Sequence, residues 1–135
     1  MKKLLGVMVS VILLILAVNS SAFGAVNADK VNIQVANANS QIQNLIDAAV
    51  KSGDYLLSEY NQNIAQNPND VIELTNNFNH EIDKLVNNLL DNTNAISSRT
   101  IAALAKQGVT VVCDWVPVTI GGRNILVDPM RVIGI

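Results

Sequence analysis

Apolar residues recur along this chain with two different periods, and the change of period divides it into its parts. From Asp29 to Gln66 the apolar or small positions are Val31, Val35, Ala38, Ile42, Ile46, Ala49, Gly53, Leu56, Tyr60 and Ile64. Steps of three and four residues make a helical stripe close to a heptad seam. Its first turns are the least secure, because Val31, Ile33 and Val35 also alternate as a strand would. Gly53 either ends one helix and lets Asp54 cap another, or sits in a continuous helix as a small seam residue against a close neighbour. The stripe keeps its phase through Gly53, which favours continuity.

A second stripe runs from Asp70 to Gln107 through Val71, Leu74, Phe78, Ile82, Leu85, Leu89, Ile96, Ile101 and Leu104. Asp70 is placed to cap its start and Gly108 to close its end in a left-handed conformation. The poor helix formers Asn92, Thr93 and Asn94, with the five-residue step from Ile96 to Ile101, mark a kink or restart near Ser97. Unbroken, this helix is about 57 Å long at 1.5 Å per residue. The polar turn Asn67-Pro68-Asn69 between two runs of similar length predicts an antiparallel, coiled-coil-like helical hairpin over residues 29–107.

After Gly108 the pattern becomes β-rich over residues 109–135. Val109 to Ile120 and Arg123 to Asp128 flank Gly121-Gly122, a two-residue turn able to supply positive φ twice, so a β-hairpin is predicted. That turn sets Val118 opposite Ile125 and Val116 opposite Val127, on one apolar face with Val112 and Ile120. Val111, Cys113, Trp115, Pro117 and Leu126 form the other. A hairpin apolar on both sides needs cover on both, so one face is expected on the helices and the other on a third strand or a partner. Met130 to Ile135, beyond Asp128-Pro129, is the candidate third strand or a hydrophobic tail. Pro117 lacks a backbone donor and suits an edge or bulge. The fold class is therefore α+β: a long antiparallel helical hairpin followed by a small C-terminal β-hairpin or three-stranded unit.

The N-terminus changes where this fold is expected to work. Lys2 and Lys3, the uncharged apolar run from Leu4 to Val18 and the small-residue exit from Asn19 to Ala28 read as a secretory signal peptide over residues 1–24, with cleavage as late as 28. Cleavage after Ala22, Gly24 or Ala28 satisfies the small-residue rule. Left uncleaved, the segment would anchor the chain, the one way a membrane becomes a partner, and the Asn67–Asn69 tip would point away from it. Residues 25–135 keep seven Lys and Arg against eleven Asp and Glu, a net charge near −4 that disfavours a nucleic-acid partner. A single cysteine makes no internal disulfide, and Cys113 is expected as a small buried hydrophobe.

Candidate chemistry is sparse. His80-Glu81-Ile82-Asp83-Lys84 departs from the zinc-binding H-E-x-x-H at Lys84, and His80, Asp83 and Lys84 read as a solvated face. No serine occupies a G-x-S-x-G elbow, and Gly121-Gly122 lacks the lysine and helix of a phosphate loop. No cofactor or metal is expected. The frequent helical asparagines, such as Asn39, Asn76 and Asn77, read as a solvated polar face. Asp114 is free to pair with Arg123 or Arg131, and Trp115 among aliphatic neighbours reads as a core anchor of the small sheet.

Secondary apolar positions, Leu45, Val50 and Leu57 on the first helix and Ile72, Val86 and Leu90 on the second, widen each stripe beyond a two-helix seam. The function expected is an exported, non-enzymatic structural or interaction subunit. It would self-associate through helix stripes or C-terminal strands, with Trp115, Val116, Val118, Ile125 and Val127 as contacts. The alternative is an extracytoplasmic module holding a small apolar ligand or lipid.

Overall fold

The computed structural model describes residues 26–135; the expected signal peptide lies outside the described residues. The order is α1 (Ala28–Gln66), α2 (Val71–Ala105), β1 (Thr110–Cys113), β2 (Val116–Ile120), β3 (Arg123–Val127) and β4 (Met130–Gly134). No helix among the described residues is long and apolar enough to cross a membrane.

Both helices run unbroken. Asn27 caps α1, its side-chain oxygen accepting from the Lys30 N–H at 3.1 Å. The strand-like alternation at its start is settled in favour of helix: Val31 and Val35 are buried four residues apart, while Ile33 points to solvent. Gly53 lies inside the helix, so the continuous reading holds. α2 begins directly after Asp70, but the expected cap bond from the Asp70 side chain is not made. Its end follows the expected pattern. Gly108 is left-handed (φ 80°), its N–H donates to Ala105 at 3.0 Å, and the Val109 N–H reaches back to Leu104 at 3.1 Å.

The expected kink near Ser97 does not occur, for a reason visible in the packing. Thr93 and Ser97 are buried on the α2 face and continue the stripe from Leu89 toward Leu104 in helical phase. Thr93 donates to the Leu90 carbonyl at 3.2 Å, and Ser97 donates to the carbonyl of Asp128 in the β unit at 3.2 Å. The two hydroxyls are satisfied, so the helix carries them inside without a break.

The β unit differs from the expected arrangement. Val109 to Ile120 is not one strand, because Asp114 and Trp115 divide it, and Met130 to Gly134 adds no third strand to the hairpin. The strands form two two-stranded antiparallel ladders, β2 with β3 and β1 with β4. The first has the expected register, Val116 opposite Val127 and Val118 opposite Ile125, across a turn in which Gly121 and Gly122 both have positive φ (54° and 83°). In the second, Cys113 faces Met130 and Val111 faces Val132. From the Cys113–Met130 pair to the Val116–Val127 pair is three residues on either strand, so the ladders share one register. The Asp114 N–H bridges the gap to the Pro129 carbonyl at 2.8 Å. The unit is thus one long two-stranded ribbon, interrupted where Asp114-Trp115 lies across from Asp128-Pro129.

At that interruption the ribbon turns over. The residues facing the core are Val111 and Met130 on one side of it, and Val118, Ile120 and Val127 on the other, a change of alternation phase on both strands. The helical neighbours exchange accordingly: β1 packs on α2 and β4 on α1, then β2 on α1 and β3 on α2. This explains a hairpin apolar on both faces. Each half buries a different face, so no third strand is needed to cover the second one.

Candidate functional site

Three polar devices fix the ribbon in the groove between the helices. Asn39, buried on α1, donates from Nδ2 to the Met130 carbonyl and accepts the Met130 N–H at Oδ1, both at 2.8 Å. Ser97 holds the Asp128 carbonyl from the α2 side. Toward the turn, Arg123 reaches back to α2, its guanidinium contacting the Asp83 carboxylate and the Asn79 side-chain oxygen, the latter at 2.9 Å. The turn itself lies on Gly53. A Cβ there would stand 2.7 Å from the Gly121 nitrogen and 2.7 Å from Ile120 Cγ2, and one on Gly121 would overlap Ile82. The close neighbour that a small residue at 53 admits is therefore the backbone of this turn.

Arg131 pairs with Asp114, Nε to Oδ2 at 2.8 Å, which leaves Arg123 for Asp83. The solvated triplet on α2 is accounted for in the same way. His80 is exposed, Asp83 is engaged by Arg123, and Lys84 pairs with Glu81 at 3.2 Å. Among the described residues no group of three potential metal ligands converges.

Cys113 is half-buried at the interruption of the ribbon, packed against the edge of the core. Burial pushes its thiol above the ordinary range, the negative charges of Asp128 and Asp114 add to that, and the Ser97 hydroxyl opposes it. Asp128 is 6% exposed, and its Oδ1 has no hydrogen-bond partner. A raised pKa means less thiolate at neutral pH and so slower attack on electrophiles. Alkylation of Cys113 by iodoacetamide near about pH 7.5 is expected to run slower than that of an unstructured thiol, and to climb steeply as pH rises. Asp128→Asn removes one of the charges opposing the thiolate and should speed it. Equal rates in the two proteins would show that Asp128 does not act on the thiol.

The expected contact residues separate. Val118 and Val127 are buried within the chain, and Val116 and Ile125 are half-buried on the same inner face. Trp115 is instead 64% exposed, so it does not anchor the core as its neighbours suggested. The turning-over accounts for this: alternation continued from Val111 and Cys113 would put residue 115 inside, but the phase changes there and Val116 takes the inner face. Trp115 stands exposed just before β2, and on the outer side of the ladder Pro117 lies directly opposite Leu126, which is 54% exposed.

A second apolar region lies at the far end of the hairpin. The ribbon covers the helix pair from Val31 and Leu104 as far as Gly53 and Ile82, where its turn ends. Beyond that level, between Gly53 and Ile82, no side chain is fully buried. Leu56, Leu57, Tyr60, Ile64, Leu74 and Phe78 continue both stripes but are only half-covered. The pair is nonetheless ordered: the Tyr60 and Phe78 rings stack at 4.7 Å, and the Tyr60 hydroxyl is 2.9 Å from that of Thr75. Of the secondary apolar positions, Leu45, Val50 and Val86 pack against the core, whereas Ile72, in this far half, is 81% exposed.

Charge separates the two apolar regions. Asp54, Glu59, Asp70, Glu73 and Glu81 lie between Gly53 and Ile82, with no Lys or Arg among them. The remaining described residues carry seven Lys and Arg against six Asp and Glu, so the net negative charge resides in the far half of the hairpin. The outer face of β2 and β3, by contrast, bears Pro117, Thr119, Asn124 and Leu126, all uncharged. No protein-family model, curated protein or solved structure matches this chain.

Proposed function

We propose that this chain is an exported, non-enzymatic interaction subunit that self-associates through the outer face of its C-terminal ribbon. The observation that carries the reading is the exposed, uncharged pair Pro117 and Leu126, opposite each other on the β2–β3 ladder, with the exposed Trp115 immediately before β2. Each strand has a ladder partner on one side only, which leaves backbone groups available for strand addition. A neutral surface pairs with its own copy without like-charge repulsion, as a two-fold contact requires. Tryptophan supplies large contact area at low entropic cost, which suits the centre of such a contact. Export rests on the signal-like pattern of residues 1–24.

Light scattering coupled to size exclusion tests the association. The protein produced from the full-length sequence is expected to elute as an assembly at about micromolar concentration, and Trp115→Ala to shift it to the monomer. Because Trp115 is exposed, the variant should keep its helical circular dichroism. A wild-type protein that remains monomeric throughout that range would refute the reading. N-terminal sequencing of the same preparation tests export, the expected first residue being Ala25 or Asp29.

A further inference from the structure

We propose that the far half of the helical hairpin is a docking site for a cationic amphipathic helix of another protein, a surface separate from the one assigned to self-association. Below Gly53 and Ile82 the two helices have a third layer, the ribbon; above that level the same stripes continue without one. The uncovered stretch of α1 is about 20 Å long at 1.5 Å per residue, the length of a helix of about 14 residues. An apolar stripe of that length along a preformed helix pair is the surface into which an amphipathic helix packs, completing a three-helix layer.

Charge chooses among the occupants. Asp54, Glu59, Asp70, Glu73 and Glu81 are next in sequence to stripe positions Gly53, Tyr60, Val71, Leu74 and Ile82. At about 100° per residue, Asp54 and Glu59 fall at the two margins of the α1 stripe and Glu81 at a margin of the α2 stripe, while Asp70 stands at the start of α2 and Glu73 lies toward its outer side. Glu81 is paired with Lys84, and the other four make no salt bridge among the described residues. A second copy docking tip to tip would set carboxylates against carboxylates, which like-charge repulsion opposes. A helix with Leu-like residues on one face and Lys or Arg along its margins meets both features at once. Its charges would steer encounter and fix its orientation, and its apolar face would remove the half-covered side chains from water.

The test is fluorescence anisotropy with the full-length protein and a labelled Leu/Lys peptide of about 14 residues whose leucines fall at helical spacing. Two control peptides accompany it: the same composition scrambled to destroy the stripe, and a Leu/Glu peptide with the stripe intact. The ordered cationic peptide is expected to bind at least about tenfold more tightly than either control, and to weaken as salt is raised. The combined variant D54N/E59Q/D70N/E73Q should lose about tenfold or more, and Val71→Asn, at an exposed position, should weaken binding through the stripe alone. Circular dichroism confirms that both variants are folded. Trp115→Ala should bind the peptide as the wild type does, so failure of the self-association reading and failure of this one are told apart. Equal binding of the scrambled peptide, preference for the acidic one, no binding, or undiminished binding by the combined variant would each overturn the proposal.

Discussion

Replacing Asn39 by alanine is expected to lower the unfolding free energy by about 3 kcal/mol, read from urea denaturation midpoints. The side chain is buried and satisfies two groups at once, donating to the Met130 carbonyl and accepting from the Met130 N–H, each at 2.8 Å. Met130 is itself buried, so the alanine variant leaves a donor and an acceptor without partners in the core. Each such orphan costs about 1–3 kcal/mol. Asn39→Asp separates the two bonds: the carboxylate still accepts from the N–H, but it has no proton for the carbonyl and sets a charge beside it. Its loss should therefore be comparable to alanine's, whereas an exposed helical neighbour such as Asn37→Ala should change stability little. A loss below about 1 kcal/mol for Asn39→Ala would mean that water replaces the amide and the ribbon is not held from this side.

Gly53→Ala should also destabilise, by about 2 kcal/mol, although helix propensity alone predicts a gain of about 1 kcal/mol for that exchange. The new methyl would meet the Gly121 nitrogen and Ile120 Cγ2, both at 2.7 Å. Ile120 can shift its side chain only at the expense of a fully buried position, and the Gly121 nitrogen belongs to a backbone fixed between two helices. Overpacking of this kind costs about 1–3 kcal/mol beyond any propensity gain. Ser52→Ala, exposed one residue earlier, supplies the control, since it changes propensity without meeting the turn. Thermal melts that rise for Ser52→Ala and fall for Gly53→Ala would establish the contact; a rise in both would refute it.

How much of this fold can be read from the sequence depends on whether a position obeys one period or two. The two helical stripes, the Asn67–Asn69 turn, the Gly108 stop and the Gly121-Gly122 hairpin with its register are local signals, and the structure contains all of them. The polar side chains that lock the ribbon are harder to see. Asn39 is one asparagine among many, and only its phase, four residues after Val35 and three before Ile42, marks it as inward-facing. Helix propensity alone marks the Thr93–Ser97 stretch as a weak place in α2, but both residues lie on the stripe in phase, and their hydroxyls find carbonyls. The exposure of Trp115 is hidden in the sequence for a related reason. A single alternation through Asp114 places Trp115 inside, whereas the phase changes there and again at Asp128-Pro129. The paired polar breaks at matching places on both strands are the available sequence signal for a ribbon that turns over.

The ribbon's ending at Gly121 grades the stability of the hairpin along its length. Side chains nearer the chain ends are held by three layers, so their amides exchange only when most of the molecule opens. Past Gly53 and Ile82 each helix leans on the other alone, and two-helix contact with half-covered side chains supports opening that need not involve the rest. The apolar, acidic end is thus the segment that can fray and close while the ribbon-covered end stays folded. Any helix bound there would act on the local equilibrium as well as on the surface, raising amide protection toward the Asn67–Asn69 turn and leaving protection beneath the ribbon unchanged.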